Sequence, residues 1–442
     1  MSHRKLMITL IAAAVCGMNR LAAAQIAEPE SVAGTKLVIT SVGAVGDGKT
    51  MNTAAIQNAI DKVASSGGGT VVIPEGTFLS GSIFLKPRVN LHLEKNGVLK
   101  GSTDTKDYPM RETRIEGHFQ DWLPALVNAE KVDHLRITGE GTLDGSGEVY
   151  WTAFRTAARN TRGTKNLDVP RPRLVYIARS QDVQVSGIHF KDSGFWNLHV
   201  YNCNNVLIEN LDIRAGASSP STDGMDIDSS QNVTIKGCYI QVNDDCIALK
   251  GTKGIHAMED KDSPPVEHIR ISDCTFAAGG AFVTAGSEAT IVRDVIVENC
   301  KAEGPGRGVS SVLRLKLRTD TPELYEDIHI RNVTLNGGGN LFNISPWRQY
   351  EDLQGQPSPK RVTRNISLSN VKGTFGGFGS IGGSPGDVIE DITIENVDVK
   401  LTNQNWAPRI GNVTNLKINN VMINGEPFTA PTPAPSTAPS RP

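Results

Sequence analysis

Two short acidic segments stand out in the 442-residue chain, Ser221-Thr222-Asp223-Gly224-Met225-Asp226-Ile227-Asp228 and Asn243-Asp244-Asp245-Cys246. Asp223 and Asp244 are 21 residues apart, close to one turn of a solenoid, so stacked coils would bring Asp223, Asp244 and Asp245 together. Gathering carboxylates raises the cost of ionising all of them, so one keeps its proton at a pH where another is already charged. Glycoside hydrolysis needs that asymmetry: one carboxylic acid protonates the leaving oxygen while another carboxylate activates water or attacks directly. An isolated Asp-Asp pair is ordinarily a solvated turn. The second acidic segment one coil away is what weighs against that reading here.

Downstream, Arg314-Leu315-Lys316 places two cations on one side of a strand, with Arg293, Arg307 and Arg318 nearby in sequence. Two cations on one face are commonly surface charge. Beside acidic groups they gain a use, Arg314 gripping a substrate carboxylate by a planar two-point contact and Lys316 acting as a point charge. Phe195-Trp196-Asn197-Leu198-His199 and Pro346-Trp347 are equally consistent with sugar stacking and with core packing.

These groups need a scaffold, and a recurring phrase supplies one. An Asn, Asp or His is followed by an aliphatic residue, any residue and a second aliphatic, as in Asp182-Val183-Gln184-Val185, Asn205-Val206-Leu207-Ile208, Asn232-Val233-Thr234-Ile235, His268-Ile269-Arg270-Ile271 and Asp294-Val295-Ile296-Val297. The phrase continues from Asp327, Asn365, Asp391 and Asn415, and successive copies start 23 to 38 residues apart. Aliphatics two residues apart share one side of a strand, so each copy is a short strand with one buried face. A lone strand cannot bury that face; stacking copies in parallel builds one core and pairs the backbone groups between coils. The predicted fold is all-β, a parallel β-helix.

A second apolar column follows at Ile188, Leu211, Cys238, Cys274, Cys300, Val333, Val371, Val397 and Val421, often preceded by Asn. Three cysteines in an otherwise aliphatic column read as buried, unpaired core residues. The Asn residues before them read as a stacked ladder at a turn. Thr53–Ala64, with Ile56, Ile60 and Val63 on one face and Gly67-Gly68-Gly69 as its stop, is the expected cap on the open N-terminal end of the core.

Residues 1–24 have the layout of a secretory signal peptide, with Arg4 and Lys5 before an apolar run and cleavage expected near Ala24, giving a secreted or periplasmic protein. An N-terminal extension (25–36), the β-helix domain (37–428) and a Pro-rich disordered tail (429–442) complete the predicted organisation. Losing Arg4, Lys5 and Arg20 takes the formal charge from −2 to −5. That balance gives no sign of a nucleic-acid-binding face, and no second apolar stretch suggests a membrane partner. A monomer is expected.

The Thr-Asp-Gly, Asp-Asp-Cys and Arg-Leu-Lys segments, in this order and spacing, resemble the polygalacturonase family of pectin-degrading glycoside hydrolases, family 28. The resemblance extends from Gly43-Ala44-Val45-Gly46-Asp47-Gly48 through Gly141-Thr142-Leu143-Asp144-Gly145 to the last repeats. It implies a right-handed β-helix and an inverting hydrolysis that uses no metal or other cofactor. Asp244 would be the general acid, Asp223 and Asp245 would hold and deprotonate water, and Arg314 and Lys316 would bind galacturonate. The implied partner is an acidic polysaccharide such as pectin, polygalacturonate or rhamnogalacturonan.

The chain departs from that family pattern at two places. Ser221 stands where Asn is usual, and Gly280, within Ala278-Gly279-Gly280-Ala281, stands where His is usual. The spacing from His268 puts Gly280 one coil beyond Asp244. A missing side chain there would weaken catalysis or open space for a differently substituted sugar, which makes a rhamnogalacturonan or other branched-pectin hydrolase the alternative. A lyase using calcium and a noncatalytic pectin-binding solenoid are further readings. The order of the aspartates argues against the first, and retention of all three aspartates and both cations against the second.

Overall fold

A computed structural model describes residues 34–304 and 308–429. The expected signal peptide, most of the extension and nearly all of the Pro-rich tail lie outside the described residues, as does Arg307. Among the described residues no helix is long and apolar enough to cross a membrane.

Short strands stack in register, parallel throughout the helix body, around one apolar core. One stack carries the sequence phrase: Leu135–Gly139, Gln181–Ser186, Asn204–Glu209, Gln231–Lys236, Val266–Ser272 and Ile291–Glu298 follow one another coil by coil. Val183 pairs with Val206, Val206 with Val233, and Val233 with Ile269, so the aliphatics align in columns, and all four are fully buried. The stack begins at Thr35–Val38, which pairs with Gly69–Ile73.

The first residue of each phrase is the turn residue. Asp182, Asn205, Asn232, His268, Asp294, Asp327, Asn365, Asp391 and Asn415 all have φ between 51° and 58°. Asn and Asp are the non-glycine residues that tolerate this left-handed region best, because their short polar side chains bond locally. The second series, Asn210, Asn299, Asn332, Asn370, Asn396 and Asn420, turns the same way. It forms the expected ladder: Asn332 donates to Asn299 at 3.1 Å, Asn370 to Asn332 at 3.0 Å and Asn420 to Asn396 at 2.9 Å. Cys203, Cys238, Cys246, Cys274 and Cys300 are buried and unpaired.

The helix Thr53–Ser65 packs Ile56, Ala59, Ile60 and Val63 onto the first coils, which covers the exposed end of the core. A second helix, Glu148–Asn160, was not anticipated. It buries only Tyr150 and Trp151 and carries charged residues elsewhere, so its apolar stripe is too narrow to stand out in sequence.

A further stack bears the candidate site. It runs through Val127–Glu130, Val175–Ala178, Leu198–Tyr201, Met225–Asp228, Ile247–Lys250, Thr275–Ala285, Val309–Arg318 and Asn340–Trp347. Its inward residues, such as Ile227, Leu249, Ala285, Leu315 and Ile344, are fully buried in one column. Alternation therefore turns Asp226, Asp228, Lys250, Thr284, Arg314, Lys316 and Arg318 outward.

Candidate active site

The acidic segments lead into neighbouring strands of this stack. Met225 pairs with Ile247, which sets Asp223 level with Asp245 and Asp244 beside them. Backbone bonds fix the register: Gly224 N donates to Asp245 O, and Met225 N to Cys246 O, both at 2.9 Å. Oxygens of Asp223, Asp244 and Asp245 all lie within 4.8 Å of one another. The predicted trio is thus a real cluster, with Asp223 and Asp245 buried and Asp244 partly exposed.

Arg314 and Lys316 come from two coils further on, on the same face. Arg314 Nη1 donates to Asp245 Oδ1 at 2.9 Å, and Lys316 Nζ to Asp245 Oδ2 at 2.8 Å. Burial raises the Asp245 carboxyl, but the Lys316 and Arg314 charges outweigh it and hold its pKa at about 2. Burial, then the charge of Asp245, pushes Asp244 upward. Burial, together with Asp226 and Asp244, raises Asp223 well above the usual carboxylate range. The cluster therefore sets one carboxylate held low beside two pushed upward, the kind of asymmetry that acid-base hydrolysis uses.

Five charged residues that sequence reasoning missed surround the cluster. Lys250 Nζ lies 3.6 Å from Asp223, 3.5 Å from Asp226 and 3.4 Å from Glu288. Burial disfavours its charge, yet Glu288, Asp223 and Asp226 raise its pKa well above the ordinary lysine value. Glu116 and Glu288 are joined by Lys253 at 3.7 and 3.6 Å. Asp226 could have been found as the outward residue after Met225, and Lys250 as the outward residue after Leu249. Glu116 and Glu288 lie off the strands and carry no periodic signal.

The cluster opens into a cavity of about 200 Å³ lined by Glu116, Asn166, Trp196, Trp347, Gln349 and Tyr350 besides the charged groups already described. Its walls come from remote segments. Glu116 is the turn of the antiparallel hairpin Arg111–Ile115/His118–Trp122, held to the stack by Arg114 bonding Asp228 at 3.1 Å. Asn166 follows the second helix, and Tyr350 follows the strand Asn340–Trp347. Lys165 Nζ lies 5.4 Å from the Tyr350 ring, joining those two segments beside the cavity.

The aromatic segments both reach the cavity wall, Trp196 while also buried against Phe195 in a core cluster. Trp196 and Trp347 line the cavity, with Lys250 Nζ 4.5 Å from one ring and Lys316 Nζ 5.0 Å from the other. Phe195 packs on Trp122, and His199 is fully buried between Arg173 and Asp228. Of the other cations, Arg293 pairs with Glu267 on the repeat-bearing stack and Arg318 with Asp320 at 2.7 Å, so neither joins the cluster. Ser221 lines the cavity and accepts a long bond from Arg171 at 3.4 Å.

Gly280 sits one coil beyond Asp244 as expected, its N donating to Asp244 O at 2.7 Å. The opening that a missing side chain would leave does not exist. A Cβ there would meet Asp245 Oδ1 at 2.3 Å and Arg314 Nη1 at 3.0 Å. The carboxylate oxygens are grouped closely enough to suit a cation. However, Arg314, Lys316 and Lys250 already compensate Asp245 and Asp223, a donor set that fits proton transfer better than a divalent ion.

Residues 65–421 match the family described as glycosyl hydrolases family 28. A probable polygalacturonase of Vitis vinifera is 29% identical over 385 residues, covering 82% of this chain and 74% of that protein. An exopolygalacturonase of Zea mays is 31% identical over 347 residues, 76% of each chain. The crystal structure of a hyperthermoactive exopolygalacturonase from Thermotoga maritima superposes with a TM-score of 0.76 at 25% identity, over 90% of this chain and 94% of that one. The chain belongs to glycosyl hydrolases family 28 and is a polygalacturonase-like O-glycosyl hydrolase with a right-handed parallel β-helix.

Proposed function

From that membership we propose that the protein hydrolyses α-galacturonosidic bonds of pectin by acid-base catalysis with inversion. The observation that carries this reading is the cluster itself: three carboxylates within 4.8 Å, one ionised and two raised, with Arg314 and Lys316 at its edge. Asp244, partly exposed and raised, protonates the leaving oxygen. Asp245 and Asp223 hold the water, and Asp245, firmly ionised, takes its proton. Arg314 and Lys316 meet the galacturonate carboxylate at the cavity wall. A branched-pectin substrate loses its support, because the space beside Gly280 is occupied.

The nearest oxygens of the three carboxylates lie within 4.8 Å of one another, whereas the about 6.5–9.5 Å of inverting sites and the about 5–5.5 Å of retaining ones separate whole carboxyl groups. Inversion is preferred, because Asp245 has both oxygens engaged, by Arg314 and Lys316, and is poorly placed to attack carbon. Activity should fall on the acid side as Asp245 gains a proton, and on the alkaline side as Asp244 loses the one it must donate.

The walled cavity of about 200 Å³ favours action at a chain end, in line with the names of the maize and Thermotoga relatives. The β-helix, which begins with the strand Thr35–Val38 rather than at residue 37 and runs to 428, is the catalytic unit, exported after removal of residues 1–24 and acting as a monomer. Chromatography of products from polygalacturonate and from rhamnogalacturonan tests the substrate. Saturated monogalacturonate released from the first polymer from the earliest times supports the reading. Mixed oligomers from the first would refute chain-end action, and products from rhamnogalacturonan alone would refute the substrate.

A further inference from the structure

Arg314 does not share a coil with Asp245. Its strand, Val309–Arg318, pairs with Thr275–Ala285, and it is this intervening strand whose Gly280 and Ala281 bond the turn bearing Asp245. To reach Asp245 Oδ1 at 2.9 Å, the guanidinium must pass over residue 280, and on the way its Nη2 comes 3.4 Å from Gly280 O. The clearance is narrow. A Cβ on Gly280 would lie 2.3 Å from Asp245 Oδ1, 3.1 Å from the Asp245 Cα and 3.0 Å from Arg314 Nη1. The backbone at residue 280 is not in the left-handed region, so conformational freedom does not explain the glycine. Steric access does.

We propose that Gly280 is the gap through which Arg314 reaches Asp245, and that Arg314 acts there as the positioning residue of Asp245. This inference rests on the reading of Asp245 as the base for its catalytic meaning, though not for its geometry. Lys316 holds Oδ2 and Arg314 holds Oδ1, so the carboxylate plane is fixed by two cations of different reach. Arg314 then divides its fork: Nη1 stays with Asp245, while Nη2, held among the described residues by the long contact to Gly280 O, remains available to a sugar carboxylate. A side chain at residue 280 would set these duties against each other by wedging between the Asp245 carboxylate and the guanidinium and pushing them apart.

The remaining charges facing Asp245 are Lys316 and Lys250, which favour its ionised form, and Asp244, Asp223 and Asp226, which oppose it. Removing Arg314 therefore leaves a balance that tilts towards protonation. The test is a 13C NMR titration of the Asp245 carboxyl, assigned with Asp245→Asn. It is run on the wild type, Arg314→Gln, Gly280→Ala and the double variant, each checked for folding by thermal melting.

The wild-type carboxyl should stay ionised to the lowest pH at which the chain is folded. Each single variant should titrate at least one pH unit higher, a tenfold change in proton affinity, and Gly280→Ala should shift it less in the Arg314→Gln background than in the wild type, only the direct contact with Asp245 remaining. Equal shifts from Gly280→Ala in both backgrounds, or no shift in Arg314→Gln, would overturn the proposal. Should Gly280→Ala fail to fold, Arg314→Gln against wild type decides. The titration needs no substrate, so an inactive wild type would refute the proposed function and leave this inference standing.

Discussion

The repeat-bearing stack and the site-bearing stack use the same strand geometry but treat charge in opposite ways. On the first, outward charges pair in solvent: Arg331 with Glu298 at 2.6 Å, and Arg270 with Asp294 at 2.8 Å. On the second, Asp223, Asp226, Asp228, Asp245, Lys250 and Glu288 are all buried. Exposed pairs are screened and contribute little, whereas buried charges are tolerable only with partners in place. The outward face of a solenoid strand is thus neutral ground until loops cover it. The hairpin at Glu116 and the segments at Asn166 and Tyr350 provide that cover here, and the proposed chemistry lies under them.

Substitutions ordered by expected effect can break this comparison. Asp244→Asn should lower turnover of polygalacturonate by about 10³-fold, as loss of a general acid does. It should cost much less on an aryl galacturonide whose leaving group needs no proton; equal losses on both would remove Asp244 from that role. Lys250→Met leaves Asp223, Asp226 and Glu288 without their shared cation, and breaking such a buried set costs about 3–5 kcal/mol. Chemical denaturation would register it, and an unchanged midpoint would mean that the carboxylates simply take up protons.

On the other stack the expected effects shrink. Asn332→Ala removes the bonds to Asn299 and Asn370 and places Ala at φ 56°, a cost of about 1–2 kcal/mol. A comparable value in thermal melts would confirm the ladder as turn chemistry. Arg331→Gln, about half exposed, should change stability by less than about 0.5 kcal/mol and leave turnover unaltered. A loss of several kcal/mol there would erase the distinction between the faces.

What the sequence reveals follows the same division. The repeat phrase is legible because its aliphatics recur with a fixed partner in every coil and its first residue must tolerate a left-handed turn, which restricts it largely to Asn and Asp. The site-bearing stack has buried inward residues too, but its outward positions change type from coil to coil, Asp228 to Lys250 to Gly286 to Lys316, so no phrase emerges. Asp223, Asp244, Asp245, Arg314 and Lys316 are found from residue type, spacing and family resemblance. Glu116, Glu288 and the wall at Tyr350 depend on loops brought together from segments 62 to 234 residues apart, and no local pattern encodes that meeting.

The central claim is that this aspartate cluster delivers water to a galacturonide with Asp245 as base. Time-resolved 1H NMR of the sugar first released from α-linked polygalacturonate tests it most directly. The account predicts saturated β-galacturonate before mutarotation sets in. Initial release of the α-anomer would mean that a carboxylate attacks carbon, and an unsaturated product would mean that the chain cleaves by elimination; either result contradicts it.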